Sequence, residues 1–276
     1  MISVYLDNGI LNYYQELKLP SLPLRKINGK KILKIPEKEL TEIVAQFKKD
    51  KIKVGWLDLP FDYLLTADFE TDKLSDIAKL FNVNHLFINL PKLIDFNAEK
   101  KLLIEVLKSL IRKFKQNKIK LSFHIDYQID SAILAFIITE IKDLNLVFDA
   151  AKCAIFEKSI SAYYRLLKNN IDIVVFYDVN EDNEPTLLGY GKAQTMEMAE
   201  RLKLNKFKGD VLFDCNLSNY HEKRLNLYKK RLPFFKGKQH KSHLFIEEKL
   251  ALTKESDLTY GELVSLQLNL LEKILK

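Results

Sequence analysis

Cysteine is nearly missing from this chain: its 276 residues hold Cys153, Cys215 and no other. Two thiols cannot make a disulfide framework, so stability must come from a packed core, and a reducing cytoplasm is the expected compartment. No apolar run approaches the roughly eighteen residues needed to cross a bilayer, and the opening MISVYLDNG lacks the basic head and small-residue cleavage site of a secretory leader. The expectation is a soluble protein with no membrane partner. Glycine and proline are scarce, at eight and seven residues. Neither a repeat nor a low-complexity linker divides the chain, which predicts one domain over residues 1–276.

What is present suits a large core. Hydrophobic residues make up 47% of the chain and aromatic ones 11%, enough for one α/β domain of this length and too much for a disordered chain. The net charge of +7 raises the question of nucleic acid or a phosphorylated ligand. Most of the excess is lysine spread along helices, which reads as a solvated face.

Apolar runs alternate with helical periodicity along the chain. Strands are expected at Ile2–Leu6, Lys31–Ile35, Ile52–Leu59, His85–Leu90, Ile119–Ile125, Leu146–Phe148, Ile171–Phe176 and Val211–Phe213. Residues 10–30 allow a short helix at best, because Pro20, Pro23 and Gly29 interrupt them. Pro36 opens a helix with Leu40, Ile43, Val44 and Phe47 on its buried stripe, and Leu74, Ile77, Ala78 and Phe81 mark the next. Later helices are expected near Ala98–Asn117, Ala132–Lys142 with Ser131 as cap, Glu157–Leu167, Thr195–Leu204 and Thr259–Leu275. Eight strand–helix units joined by right-handed crossovers close into a (β/α)₈ barrel.

Such a barrel gathers the carboxyl ends of its strands on one face, where chemistry is done. The polar residues at those ends are Asp58, the cluster His124, Asp126 and Tyr127, then Asp149, Tyr177-Asp178 and Asp214. Trp56 and Asp58 on the third strand, with Asp126, are candidates to bind substrate. The loop Leu188-Gly189-Tyr190-Gly191 is a tight turn between the last two units. Beyond Asp214, residues 220–243 are rich in lysine, arginine and histidine around Phe234-Phe235, and they are the candidate phosphate-binding segment after the eighth strand.

The second half resembles the xylose isomerase-like superfamily of TIM barrels, which includes sugar isomerases, sugar-phosphate epimerases and apurinic endonucleases. The likeness rests on Leu121–His124, Val147–Lys152 containing Asp149, Ile173–Asp178, Gly189–Gly191 and Gly209–Asp214, in that order and spacing. It implies a sugar or sugar-phosphate isomerase or epimerase working by proton transfer at the barrel mouth, on a carbohydrate that is phosphorylated or not. It also implies a divalent metal (Mn, Zn, Mg or Fe) held at four strand ends, here His124, Asp149, Val175 and Asp214.

Valine cannot ligate a metal, and Lys152 stands where the family has a histidine. Two readings of the site follow. In one, His124, Asp149 and Asp214 still hold a metal. In the other, the Lys152 ammonium takes its electrostatic place between Asp149 and Asp214. His124, Lys152, Tyr177 and Asp178 are the candidate catalytic groups. The alternatives are a sugar-binding barrel without catalysis and an endonuclease-like enzyme. The second is disfavoured because most of that branch's histidines and glutamates are missing.

Overall fold

The computed structural model describes residues 2–5, 14, 17, 19–65, 71–218, 220–222 and 259–276. Eight parallel strands make one sheet: β1 (Ile2–Tyr5), β2 (Leu22–Leu24), β3 (Val54–Asp58), β4 (His85–Asn89), β5 (Lys120–His124), β6 (Asn145–Asp149), β7 (Ile171–Phe176) and β8 (Asp210–Asp214). Their spatial order is β1-β8-β7-β6-β5-β4-β3-β2. β1 and β2 lie side by side without a hydrogen-bonded ladder, so the barrel is nearly closed.

Period-two alternation sorts the side chains into two cores. Leu86, Ile88, Leu121, Phe123, Leu146, Phe148, Val211 and Phe213 belong to the large core between sheet and helices. Their strand neighbours Tyr5, Trp56, Phe87, Val147, Ile173, Val175 and Leu212 form a second core inside the barrel. The interior is packed rather than hollow. Burying these chains, at ~25 cal/mol per Å² of apolar surface, is the main force holding the barrel closed.

The helices are α1 (Glu37–Lys49), α2 (Thr71–Leu80), α3 (Phe96–Gln116), α4 (Ser131–Glu140), α5 (Ala150–Ile155), α6 (Ile160–Leu167), α7 (Thr195–Leu204) and α8 (Tyr260–Leu275). Among the described residues none is long and apolar enough to cross a membrane. Carboxylates and hydroxyls at the starts satisfy orphan N–H groups: Asp95 opens α3, Asp130 opens α4, Ser159 opens α6, and Thr259 with Glu262 makes a capping box on α8.

Three expectations need correction. The second strand is Leu22–Leu24, not Lys31–Ile35; Lys30–Lys31 pairs with Lys26–Ile27 in a small hairpin, and Ile32–Lys34 is a turn of 3₁₀ helix. The alternating Lys31–Ile35 pattern mimicked a strand, while two prolines disguised the real one. Asp130, not Ser131, caps α4. A separate helix, α5, precedes the one expected at Glu157–Leu167; the Asp149 carboxylate caps it by accepting the Lys152 N–H, and Glu157 turns left-handed (φ 54°) before α6.

Candidate active site at the barrel mouth

Arg25 follows the last residue of β2, and its guanidinium ties the two halves of the chain together. Its Nε donates to Asp58 Oδ2 at 3.0 Å, and both terminal nitrogens donate to Asp214 Oδ2 at 3.1 Å. The guanidinium carbon lies 4.1 Å from the centroid of the Tyr5 ring, a cation–π seat beneath it. Three of its five N–H bonds are engaged, leaving two with no acceptor among the described residues. Its side chain is 36% exposed. Water or a ligand can therefore reach the cation.

Asp58 ends β3 and is fully buried. Its Oδ2 also takes the Tyr5 hydroxyl, and its Oδ1 meets His124 Nε2 at 2.7 Å. Burial alone would raise its carboxyl, but His124, Arg25 and Tyr5 outweigh that and hold it well below the usual carboxylate range. An ionised Asp58 only accepts, so the His124 proton sits on Nε2. That leaves Nδ1, which meets no acceptor or donor among the described residues, as the nitrogen able to take a proton.

Asp149 is a second centre. It is buried, and its Oδ1 accepts the Lys152 N–H at 2.8 Å. Burial pushes its carboxyl up, against the pull of Lys152. The backbone N–H of Asp149 donates to the Tyr127 hydroxyl at 2.8 Å, which fixes the strand end. Burial also pushes the Tyr177 hydroxyl up, with Asp149 and Asp214 adding to the effect.

The other candidates take supporting places. Lys152 is exposed on α5, and only its backbone N–H hydrogen-bonds Asp149, while Arg25 is the cation between Asp58 and Asp214. Asp178 is buried and accepts from Val179, Gly189 and Ala193 N–H and from the Thr195 hydroxyl, which clasps the loop behind Tyr177. A Cβ on Gly191 would fall 2.2 Å from the Val179 carbonyl oxygen and 2.3 Å from Asp178 Oδ1, so the clasp requires glycine there. Asp126 accepts the Gln128 N–H in a turn. Trp56 packs inside the barrel against His85 and Phe87, at ring distances of 6.1 and 5.2 Å. Val175 is buried in the interior core.

Arg25 and Tyr5 were missed. The signal for Arg25 was a charged residue after the apolar run Leu22-Pro23-Leu24, the same pattern that marked Asp149 and Asp214. Of the basic segment 220–243, residues 223–243 lie outside the described residues, and so does the expected fold of that segment over the mouth.

No protein-family model and no curated protein matches the sequence. Solved structures do. The chain is similar to L-ribulose 3-epimerase (TM-score 0.61, 12% identity, 99% of this chain and 94% of that one). It is similar to a xylose isomerase domain protein from Planctomyces limnophilus (TM-score 0.60, 14% identity, 91% and 95%). It is also similar to the IolI protein with a bound zinc atom (TM-score 0.59, 17% identity, 77% and 88%). Identities this low carry the fold alone: the chain is an eight-stranded α/β barrel of the TIM type, as those structures are.

A metal ion is what the sequence resemblance implies, and the residues as they stand here do not suit one. Among the described residues no three His, Cys, Asp or Glu side chains converge as a metal would require. Each of the three expected ligands already has a partner: Asp214 holds Arg25, Asp149 holds the Lys152 N–H, and His124 holds Asp58. A guanidinium stays protonated at any ordinary pH, so it cannot give way by losing its charge.

Proposed function

We propose that this protein is an isomerase or epimerase acting by proton transfer on a small carbohydrate with a carbonyl group. The observation that carries the reading is the pairing of a tautomer-fixed imidazole, His124 on Asp58, with a partly exposed guanidinium that keeps two N–H groups open. Breaking a C–H bond beside a carbonyl needs a base and a place for the charge that develops on oxygen.

His124 Nδ1 removes the proton from the carbon next to the carbonyl, and the electron pair moves toward the carbonyl oxygen. The free N–H groups of Arg25 hold that oxygen, in a site where low dielectric strengthens the contact. Return of a proton to the former carbonyl carbon, with the adjacent hydroxyl's proton passing to the original carbonyl oxygen, gives isomerisation; return to the opposite face of the same carbon gives epimerisation. Asp149, whose carboxyl burial pushes up, is the second proton-transfer group. Asp58 orients His124, and Tyr5 seats Arg25. The neighbouring epimerase and isomerase-domain structures support the class of reaction.

Deuterium exchange tests this before the natural substrate is known. A panel of aldoses, ketoses and their phosphates in D₂O with EDTA should show protein-dependent loss of the proton beside the carbonyl in one member. His124→Gln, folded by circular dichroism, should lower that rate by ~10²-fold or more. A panel that binds without any exchange would reduce the mouth to a sugar-binding site.

A further inference from the structure

We infer that Arg25 is a resident cation, and that Asp58, His124 and Asp214 are a latent divalent-metal site which its side chain keeps shut. The inference rests on the geometry of the mouth and holds whether or not the mouth turns a ligand over.

Two buried carboxylates, Asp58 and Asp214, turn one oxygen each toward a single small planar cation, at 3.0 and 3.1 Å. Without a positive charge between them, one of the two would have to take up a proton. His124 Nε2 is already on the other oxygen of Asp58, at 2.7 Å. One imidazole and two carboxylates from three different strands are an open donor set suited to Zn²⁺, Mn²⁺ or Fe²⁺. The guanidinium lies between the two carboxylates, and among the described residues no three such side chains converge. A dication entering beside it meets like charge at close range.

Displacing Arg25 has a further cost. It would lose three hydrogen bonds and its seat on the Tyr5 ring, and the Tyr5 hydroxyl itself is held by Asp58. Tyr5, Arg25 and Asp58 therefore form one braced unit. A metal in solution competes against the whole unit rather than against one loose side chain. The charge neutralisation that a bound ion would provide is built into the polypeptide.

Calorimetric titration of untagged, EDTA-treated protein with Mn²⁺ and with Zn²⁺ tests this. The parent and Arg25→Lys should show no one-to-one binding at the mouth. Arg25→Ala should bind one equivalent at least ~100-fold more tightly than the parent, and Asp214→Asn in that background should remove the gain. If Arg25→Ala folds only when metal is present, a metal-dependent rise in its melting temperature is the same positive result. If it folds in neither condition, Arg25→Gln, uncharged and close in size, carries the test to the same criterion. One-to-one binding by the parent that Arg25→Ala leaves unchanged would overturn the inference, and so would a folded neutral variant with no gain. The titration reads no turnover, so its failure leaves the proton-transfer reading intact, and an absence of exchange leaves this one intact.

Discussion

The barrel carries a polar cluster at each end, and the two are built differently. At the mouth, Arg25 bridges Asp58 and Asp214 over Tyr5, with His124 on Asp58. At the floor, the Ser122 hydroxyl donates to Asp172 Oδ2 at 2.9 Å, and His85 Nε2 lies 2.8 Å from Ser122 Oγ and 3.2 Å from Asp172. Lys120 completes the floor with an ion pair to Asp172. Since the single Ser122 proton goes to Asp172, His85 must donate. The aspartate therefore contacts the same imidazole nitrogen as the serine, which is the wrong side for an acid–base relay. The floor closes on itself, with its cation half in water. The mouth keeps open donor groups on a cation seated among buried carboxylates. A carboxylate clasped by neighbouring strands, with its cation facing water, suits a structural plug, and open donors on a guanidinium braced between two carboxylates suit a reaction site.

The sharpest way to break this contrast is Asp58→Asn. It leaves the guanidinium, the Tyr5 hydroxyl and the His124 N–H facing an amide that can accept fewer of them. Removing one partner of a buried charged pair costs ~3–5 kcal/mol, and the partial exposure of Arg25 argues for the lower end. Urea unfolding should show a loss near 3 kcal/mol with an unchanged slope. A loss below about 1 kcal/mol, within the range of surface ion pairs, would mean that the mouth is no more than a solvated pair.

The floor should answer more weakly, and to acid. Burial would raise the Asp172 carboxyl, but hydrogen bonds and charge from His85 and Lys120 prevail and hold it at about 2. A carboxyl lowered from its ordinary value of about 3.9 stabilises the fold above that pH, and its contribution is lost as pH falls toward the folded value. Asp172→Asn should therefore cost about 2 kcal/mol at neutral pH and little at pH 2. The Lys120 ammonium, 45% exposed, returns to water in the variant, which limits the penalty. Equal losses at pH 7 and pH 2 would show that shape, not charge, is what Asp172 supplies.

The two ends also differed in how far they could be read from sequence. Asp58, His124, Asp149 and Asp214 were visible because each closes an apolar run, and a barrel collects such positions on one face. Arg25 obeys the same rule, but its strand is three residues long and contains Pro23, so the neighbouring Lys31–Ile35 alternation drew the assignment away. Tyr5 reads as part of an apolar strand, and only the closed barrel brings its ring under a guanidinium. The floor gave no such signal. Asp172 lies where the β6–β7 register shifts, with Leu146 opposite Ile171 and Val147 opposite Ile173. Sequence periodicity does not foresee a bulge, because the extra residue belongs to neither face of the strand.

Lys152 gives the finest discrimination between a cation that neutralises the mouth and one that merely lies near it. Its backbone N–H caps into Asp149 at 2.8 Å whatever side chain it bears, and its ammonium is exposed. Its charge still pulls the Asp149 carboxyl down against burial, so removing it should move that carboxyl further up. Lys152→Ala should keep the α5 cap, alter stability by less than ~0.5 kcal/mol as for other surface changes, and gain no affinity for Mn²⁺ or Zn²⁺. An amide-resolved NMR titration should show the Asp149 region shifting at higher pH than in the parent. A destabilisation comparable to that of Asp58→Asn, or a new metal affinity in Lys152→Ala, would return the role of resident cation from Arg25 to Lys152.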